Sequence, residues 1–326
     1  MTSNRAKRPA CETAAPLCKP VYNNVFNSLV KSLEDQVRMA SIVPYGHAKG
    51  PRDPRIELFG FMEAPDARYP LLRVTGTCSE GMEEGPILIV TAGFHGNEIA
   101  GPLTLKNCLF GMLVAAQRNG LNLIVYPCMN PWGFEHFERY NAWNESPNND
   151  FLRYIMPDAT LNGDLGGDKS KAVSWGWVDE VDPTVRLARE SHIMLREVRS
   201  LPLERVVGFI DLHQDRFPSS YQHKPATYAY VFGDRSRYSA IIREVQKIVP
   251  VLSCQEITAG QEEGVPGPVT DSNGFLTRHD GTLQDAMDNL GVSTAVTVET
   301  TGATSLADAI KANITWIKGM IELISK

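Results

Sequence analysis

The sequence predicts an α/β protein: a single domain with a mixed, mostly parallel central sheet flanked by helices on both faces. Three observations predict it. Short runs rich in Val, Ile and Leu, such as Pro86–Ala92 and Arg205–Leu212, read as nearly continuous apolar stretches, as expected of strands covered on both faces. Stretches of helical period alternate with those runs, the order that yields parallel strands joined by helical crossovers. The length of 326 residues, 43% hydrophobic and 21% charged, suits one large α/β unit and excludes global disorder, collagen and coiled coil.

Each element follows from local pattern. Residues 1–20 are basic and polar and read as a loose arm. Val21–Ala40 places Val25, Leu29, Val30 and Leu33 on one helical stripe, and the Pro/Gly-rich Pro44–Pro54 then breaks the chain. This divides the chain into an N-terminal arm and helix, 1–50, and an α/β domain, 51–326. Strands are expected at Ile56–Met62, Leu71–Thr75, Pro86–Ala92 and Leu121–Tyr126, with a helix over Asn97–Arg118. The second half repeats the rhythm. Helices are expected at Pro183–Leu201, Arg235–Val249, Leu283–Leu290 and Ser305–Ser325, and strands at Arg205–Leu212, Thr227–Phe232 and Ser293–Val298. Pro157–Pro183 and Gly260–Gly281 read as long polar loops, a length often given to binding segments.

Composition narrows the function. A formal charge of −6 without a basic run argues against a nucleic-acid partner. The longest apolar stretches, Cys108–Ala116 and Pro86–Ala92, fall far short of the roughly 18 to 20 residues that span a bilayer, so no membrane partner is expected. The first residues lack the apolar core of a secretory signal, and six irregularly spaced cysteines read as reduced thiols. A cytoplasmic location is expected.

The chemistry-bearing residues lie where strands end. Pro86–Ala92 runs into G-F-H-G-N-E, placing His95 and Glu98 three apart at a strand-to-helix turn, where α/β sheets bind ligands. Taken alone, H-x-x-E recurs by chance. A second histidine stands at an equivalent place, since Arg205–Leu212 ends in D-L-H-Q-D and offers His213. Two His and one Glu form a known catalytic zinc set with a fourth position for water. Asp215 is a further candidate beside it. His192 lies mid-helix, and His47, His136, His223 and His279 have no carboxylate at ligand spacing. The turn N-P-W-G is followed by Arg139, and D-F-L-R offers Asp150 and Arg153. A guanidinium can polarise a carbonyl or grip a carboxylate, and it can equally pair with a surface acid. Glu299 ends the apolar run Ser293–Val298, a placement suited to a general base of raised pKa. No G-x-S-x-G, no phosphate loop and no H-E-x-x-H occurs.

In order, H-G-N-E, N-P-x-G with its Arg, D-x-x-R, D-L-H and V-E-T-T-G resemble the zinc carboxypeptidase family and its succinylglutamate desuccinylase and aspartoacylase relatives. The resemblance covers about residues 55 to 326. It implies His95, Glu98 and His213 as ligands of one zinc per chain, Arg139 as the electrophilic arginine, Arg153 as the substrate-carboxylate arginine and Glu299 as the catalytic base. Two departures stand out. The family's Asn-Arg pair is Leu152–Arg153 here, and the family's mobile Tyr is missing from Gly274–Asp280, where Phe275, Arg278 or His279 is available instead. The resemblance thus implies a zinc-dependent hydrolase cleaving an amide bond beside a carboxylate-bearing residue, a metallocarboxypeptidase acting on small peptides. The alternative is an N-acyl-amino-acid deacylase using the same centre. A non-catalytic binding protein on the same fold has no need of Glu299.

Overall fold

The computed structural model describes residues 25–42, 52–65, 67–77, 84–216, 224–257 and 267–325. In chain order these form α1 (Val25–Ile42), β1 (Arg52–Glu63), β2 (Arg68–Thr77), β3 (Ile87–Ala92), α2 (Ala100–Arg118), β4 (Asn122–Tyr126), α3 (Pro131–His136), β5 (Leu152–Ile155), β6 (Leu161–Asn162), β7 (Ser174–Trp177) and α4 (Val178–Val181). There follow α5 (Arg189–Ser200), β8 (Val206–Leu212), β9 (Thr227–Val231), α6 (Ser239–Val245), β10 (Phe275–Leu276), α7 (Leu283–Asn289), β11 (Ala295–Thr300) and α8 (Leu306–Ile324).

Eight strands make one sheet in the order β1-β2-β4-β3-β8-β11-β9-β10. The central four, β4, β3, β8 and β11, run parallel to one another. Antiparallel pairing enters toward the edges, at β1/β2, β2/β4 and β11/β9. Every residue of β3 and β4 is buried, which is why those segments read as continuous apolar runs.

Strand alternation sorts the side chains. Leu88, Val90, Ile210, Leu212, Val296 and Val298 join the core shared with α1, α2, α6 and α8. The alternate positions Ile87, Ile89, Phe209 and Ala295 pack with α5 and α7 on the opposite face. Thr91, Asp211, Thr297 and Glu299 continue that second face, so the polar carboxyl ends of three adjacent strands open on one side of the sheet. α8 is capped by Ser305, whose Oγ accepts the Asp308 N–H at 3.1 Å. Its Trp316 is fully buried, and truncation there would cost about 3 to 5 kcal/mol. α1 buries Phe26, Leu29, Leu33 and Val37 in the same core, and its Gln36 amide donates to the Lys106 carbonyl of α2 at 2.6 Å.

The expected helices and strands recur with shifted ends. The expected helix at 183–201 starts at Arg189, after turns through 183–185 in which the Thr184 hydroxyl donates to Asp182 Oδ1 at 2.6 Å. The expected helix at 235–249 is α only over α6, preceded by a 3-10 turn at Arg235–Tyr238. The loop expected at Pro157–Pro183 instead contains β6, β7 and α4, and with β5 the two strands form a small antiparallel sheet in the order β6-β5-β7. Its strands are two to four residues long, too short to leave a period in the sequence. The expected loop at 260–281 holds β10, with residues 258–266 outside the described set, as are the arm, His47, His223, Cys11, Cys18 and Cys78. Among the described residues Cys108, Cys128 and Cys254 are free, and no helix is long and apolar enough to cross a membrane.

Candidate metal centre and substrate cavity

The turn after β3 carries His95 and Glu98. It is pressed against the N-P-W-G turn: a Cβ on Gly96 would lie 2.0 Å from the Gly133 carbonyl carbon, so only glycine fits. That close approach fixes the next segment too, because the Gly96 N–H donates to the Arg139 carbonyl at 3.3 Å. Asn130 caps α3 by accepting the Gly133 N–H at 2.8 Å. The two glycine motifs thus lock together and aim Arg139 at Glu98, which its guanidinium contacts directly.

His213 follows β8. Its Nδ1 lies 2.8 Å from Glu98 Oε2 and its Nε2 2.9 Å from Asp211 Oδ2. Asp211 is fixed in turn by Thr91, its partner across the β3/β8 ladder, whose hydroxyl donates at 2.7 Å. The donor atoms of His95, Glu98 and His213 all lie within 4.8 Å of one another, and all three residues are buried.

Electrostatics set the protonation of each group. Burial pushes His95 well down, so it stays neutral with lone pairs to give. Burial would raise Glu98, but the charges of His95, Arg139 and His213 outweigh it and hold the carboxyl low. Burial would lower His213, yet Asp211 and Glu98 on its two nitrogens raise it well above the ordinary value. Burial, with the nearby Glu98 and Asp215 carboxylates, pushes Glu299 well up against the opposing His213 and Arg139.

These residues fit a divalent cation. The buried Nδ1 of His95 has no hydrogen-bond partner, a deficit of about 1 to 3 kcal/mol that a cation would relieve. With His213 Nε2–H donated to Asp211, its Nδ1 faces Glu98 as a further donor, and a carboxylate behind a ligating histidine is the usual outer support of a zinc ligand. Two imidazoles and one carboxylate suit zinc and leave a position open.

A cavity of about 800 Å³ opens over this cluster. Arg139, Arg153, Asp215 and Glu299 line it with the donor set, so the candidate ligands, arginines and carboxylates read from the strand ends reach one space. Arg153, on β5, is 11% exposed and pairs with Asp150 at 2.7 Å and Asp182 at 3.6 Å. Asp215 does not support His213; it accepts the Tyr228 hydroxyl at 2.7 Å instead. Of the three residues offered for the absent Tyr, Arg278 lines the cavity, Phe275 is buried in the core, and His279 turns away from it. His279 does have a carboxylate partner, Asp285, at 2.9 Å, which only the fold brings near. His192 is exposed on α5, and His136 stacks on Trp132.

Sequence reasoning missed Asp211, Asn148, Tyr228 and Tyr230. Asp211 was legible, since D-x-H across a strand end puts both side chains on one face. Tyr228 and Tyr230 alternate along β9 opposite Glu299 and Thr297, a pairing that needs the register. Asn148 sits in a loop at φ 77° and lies 3.2 Å from both Asp211 Oδ2 and His213 Nε2.

Residues 84–156 match the succinylglutamate desuccinylase/aspartoacylase catalytic domain. That segment holds His95, Glu98, Arg139 and Arg153. Among solved structures, a protein provisionally named a metallopeptidase from Shewanella denitrificans OS217 aligns at 17% identity over 93% of this chain and 91% of its own, with a TM-score of 0.62. Another so named, from Shewanella baltica OS155, aligns at 16% identity over 92% and 93%, with a TM-score of 0.61. A metallo-carboxypeptidase from Pseudomonas aeruginosa, in complex with (2-guanidinoethylmercapto)succinic acid, aligns at 14% identity over 90% of this chain and 68% of its own, with a TM-score of 0.52. The fold is shared with these metallopeptidase and metallo-carboxypeptidase structures. No curated protein matches the sequence. In this carboxypeptidase-like fold the site occupies the carboxyl ends of central parallel strands, the place where open α/β sheets bind ligands.

Proposed function

We propose that the protein is a zinc-dependent hydrolase that cleaves an amide bond next to a carboxylate-bearing residue, as a metallocarboxypeptidase of small peptides. The observation that carries this reading is the buried His95–Glu98–His213 donor set opening on the same cavity as Glu299. His95, Glu98 and His213 would hold a zinc ion, which would supply a Lewis acid for the scissile carbonyl and would lower the pKa of water to about 7.

The remaining steps belong to the chain. Glu299, with its raised affinity for protons and a buried Oε2 lacking a partner, takes the proton of the attacking water and delivers it to the leaving amine. Arg139 stabilises the developing oxyanion, worth roughly 3 to 4 kcal/mol for such a donor. Arg153 receives the substrate carboxylate, its planar fork suited to two parallel hydrogen bonds. Asp211 holds the His213 ring and tautomer. A pure binding module would have no use for a buried, proton-hungry glutamate facing the donor set.

A second reading has its own support. The match of residues 84–156 to a desuccinylase/aspartoacylase domain favours an N-acyl-amino-acid deacylase on the same centre. Mass spectrometry of products separates the two. The zinc-loaded protein would be given a panel of short peptides and N-acyl amino acids, each with a free and an amidated carboxylate. Release of C-terminal residues supports the peptidase, and release of acyl groups supports the deacylase. An inert zinc-loaded protein across the panel would overturn both.

A further inference from the structure

Behind the cavity wall that holds Arg153 and Arg278 lies a buried carboxylate outside the proposed chemistry. Asp285, on α7, is 0% exposed. Its Oδ1 accepts the Tyr154 hydroxyl at 2.6 Å, His279 Nδ1–H at 2.9 Å and Asn289 Nδ2–H at 3.2 Å. Its Oδ2 accepts the Gly281 N–H at 2.9 Å. A carboxyl group removed from water is costly unless its oxygens are hydrogen-bonded, and here the bonds come from two separate wall segments and from α7 itself.

Those two wall segments line the cavity with their other side. Tyr154 follows Arg153 on β5, so alternation points Arg153 to the cavity and Tyr154 back to Asp285. His279 stands between Arg278 and Asp280, which both line the cavity, and Gly281 precedes Thr282, which also does. The wall is stitched further by the backbone: Phe151 N–H donates to the Gly281 carbonyl at 2.8 Å, and Leu165 N–H to the His279 carbonyl at 2.7 Å. His279 also stacks on Phe232, with ring centroids 4.7 Å apart. Burial and the Asp285 charge raise the Tyr154 phenol, which keeps it a donor.

We infer that Asp285 is a positioning residue that sets the spacing of Arg153 and Arg278, and so the site's selectivity for a free carboxylate on the substrate. Asp285, Tyr154 and His279 are not among the described residues lining the cavity, so Asp285 acts through its neighbours. The inference rests on the proposed hydrolase reading and adds what holds its substrate arginine in place.

The test uses the zinc-loaded full chain and the best substrate of the panel above, in free and amidated form. Asp285→Asn keeps the volume but presents an N–H to a ring of donors. We expect KM for the free carboxylate to rise about 10-fold or more, as for the loss of hydrogen bonds to a charged group. We expect kcat to change by less than about threefold, zinc content to hold, and the preference for free over amidated substrate to shrink. Tyr154→Phe removes a single donor and covers the case in which Asp285→Asn does not fold. It should raise KM about threefold, and it should add nothing in an Arg153→Ala background. An unchanged KM and unchanged free-to-amidated ratio in Tyr154→Phe overturn the inference, as does a loss confined to kcat. If wild type turns over no panel member, the hydrolase reading falls and this inference with it. If wild type is active and the variants keep its selectivity, only this inference falls.

Discussion

Replacing Glu190 with Gln should stabilise the protein at neutral to alkaline pH and change little in acid. Glu190 opens α5, is 0% exposed, and accepts Asn141 Nδ2–H at 2.7 Å through Oε2. Its Oε1 has no hydrogen-bond partner. Burial pushes the carboxyl up from 4.5 to about 7, and the Asn141 hydrogen bond offsets only part of that. The folded state therefore holds this proton more tightly than the unfolded chain does. The stability it confers is fully present below 4.5 and is lost as pH rises through about 7. At about 1.4 kcal/mol for each pH unit, the loss comes to about 3 kcal/mol. Glutamine has no charge to bury, so wild-type stability minus variant stability should drop by about that amount across the window. Denaturant unfolding of both proteins at several values from about pH 5 to about pH 9, with matched slopes, measures the difference directly. A difference that stays flat with pH would refute the reasoning, whatever its absolute value.

Four further outcomes are expected. Purified protein should hold about one zinc per chain by elemental analysis, and His213→Ala should lose most of it; full occupancy in a His95→Ala/His213→Ala double variant would sink the donor assignment. Asp211→Asn should weaken zinc affinity about 10- to 100-fold in a chelator competition, because the His213 ring loses its charged acceptor; unchanged affinity would remove Asp211 from the site's support. Glu299→Gln should lower kcat about 10²- to 10⁴-fold with zinc content intact, and more than half the normal rate would exclude Glu299 as the base. Glu256 would be a poor replacement, since it accepts the Gly267 N–H at 2.7 Å and does not line the cavity among the described residues. Arg153→Ala and amidation of the substrate should each reduce kcat/KM strongly and should not add; additive losses would mean that Arg153 serves only Asp150 and Asp182.

How much was legible in the sequence follows from which interactions are local. The central strands announce themselves because burial on both faces demands unbroken apolar runs, as in Ile87–Ala92. His95, Glu98, His213 and Glu299 were found because each directly follows or ends such a run. The small sheet of β5, β6 and β7 was not, because strands of two to four residues leave no periodic trace. Tyr230 and His279 were missed or dismissed for a different reason. Tyr230 reaches the cavity through the register between β9 and β11, which joins residues far apart in the chain, whereas His279 meets Asp285, six residues on, only through the turn into α7.

The order of the strands in the sheet has a kinetic consequence. β8 lies between β3 and β11, and each of those pairings joins segments separated by long stretches of chain. Sheets built from such distant partners must close large loops before any pairing rewards the loss of chain entropy, and they form slowly. The donor set spans the β3/β8 seam, with His95 and Glu98 on one side and His213 on the other. A cation can therefore grip all three donors only after that seam has closed. Its binding energy falls wholly on the finished sheet, slowing the opening of the seam more than it hastens its formation.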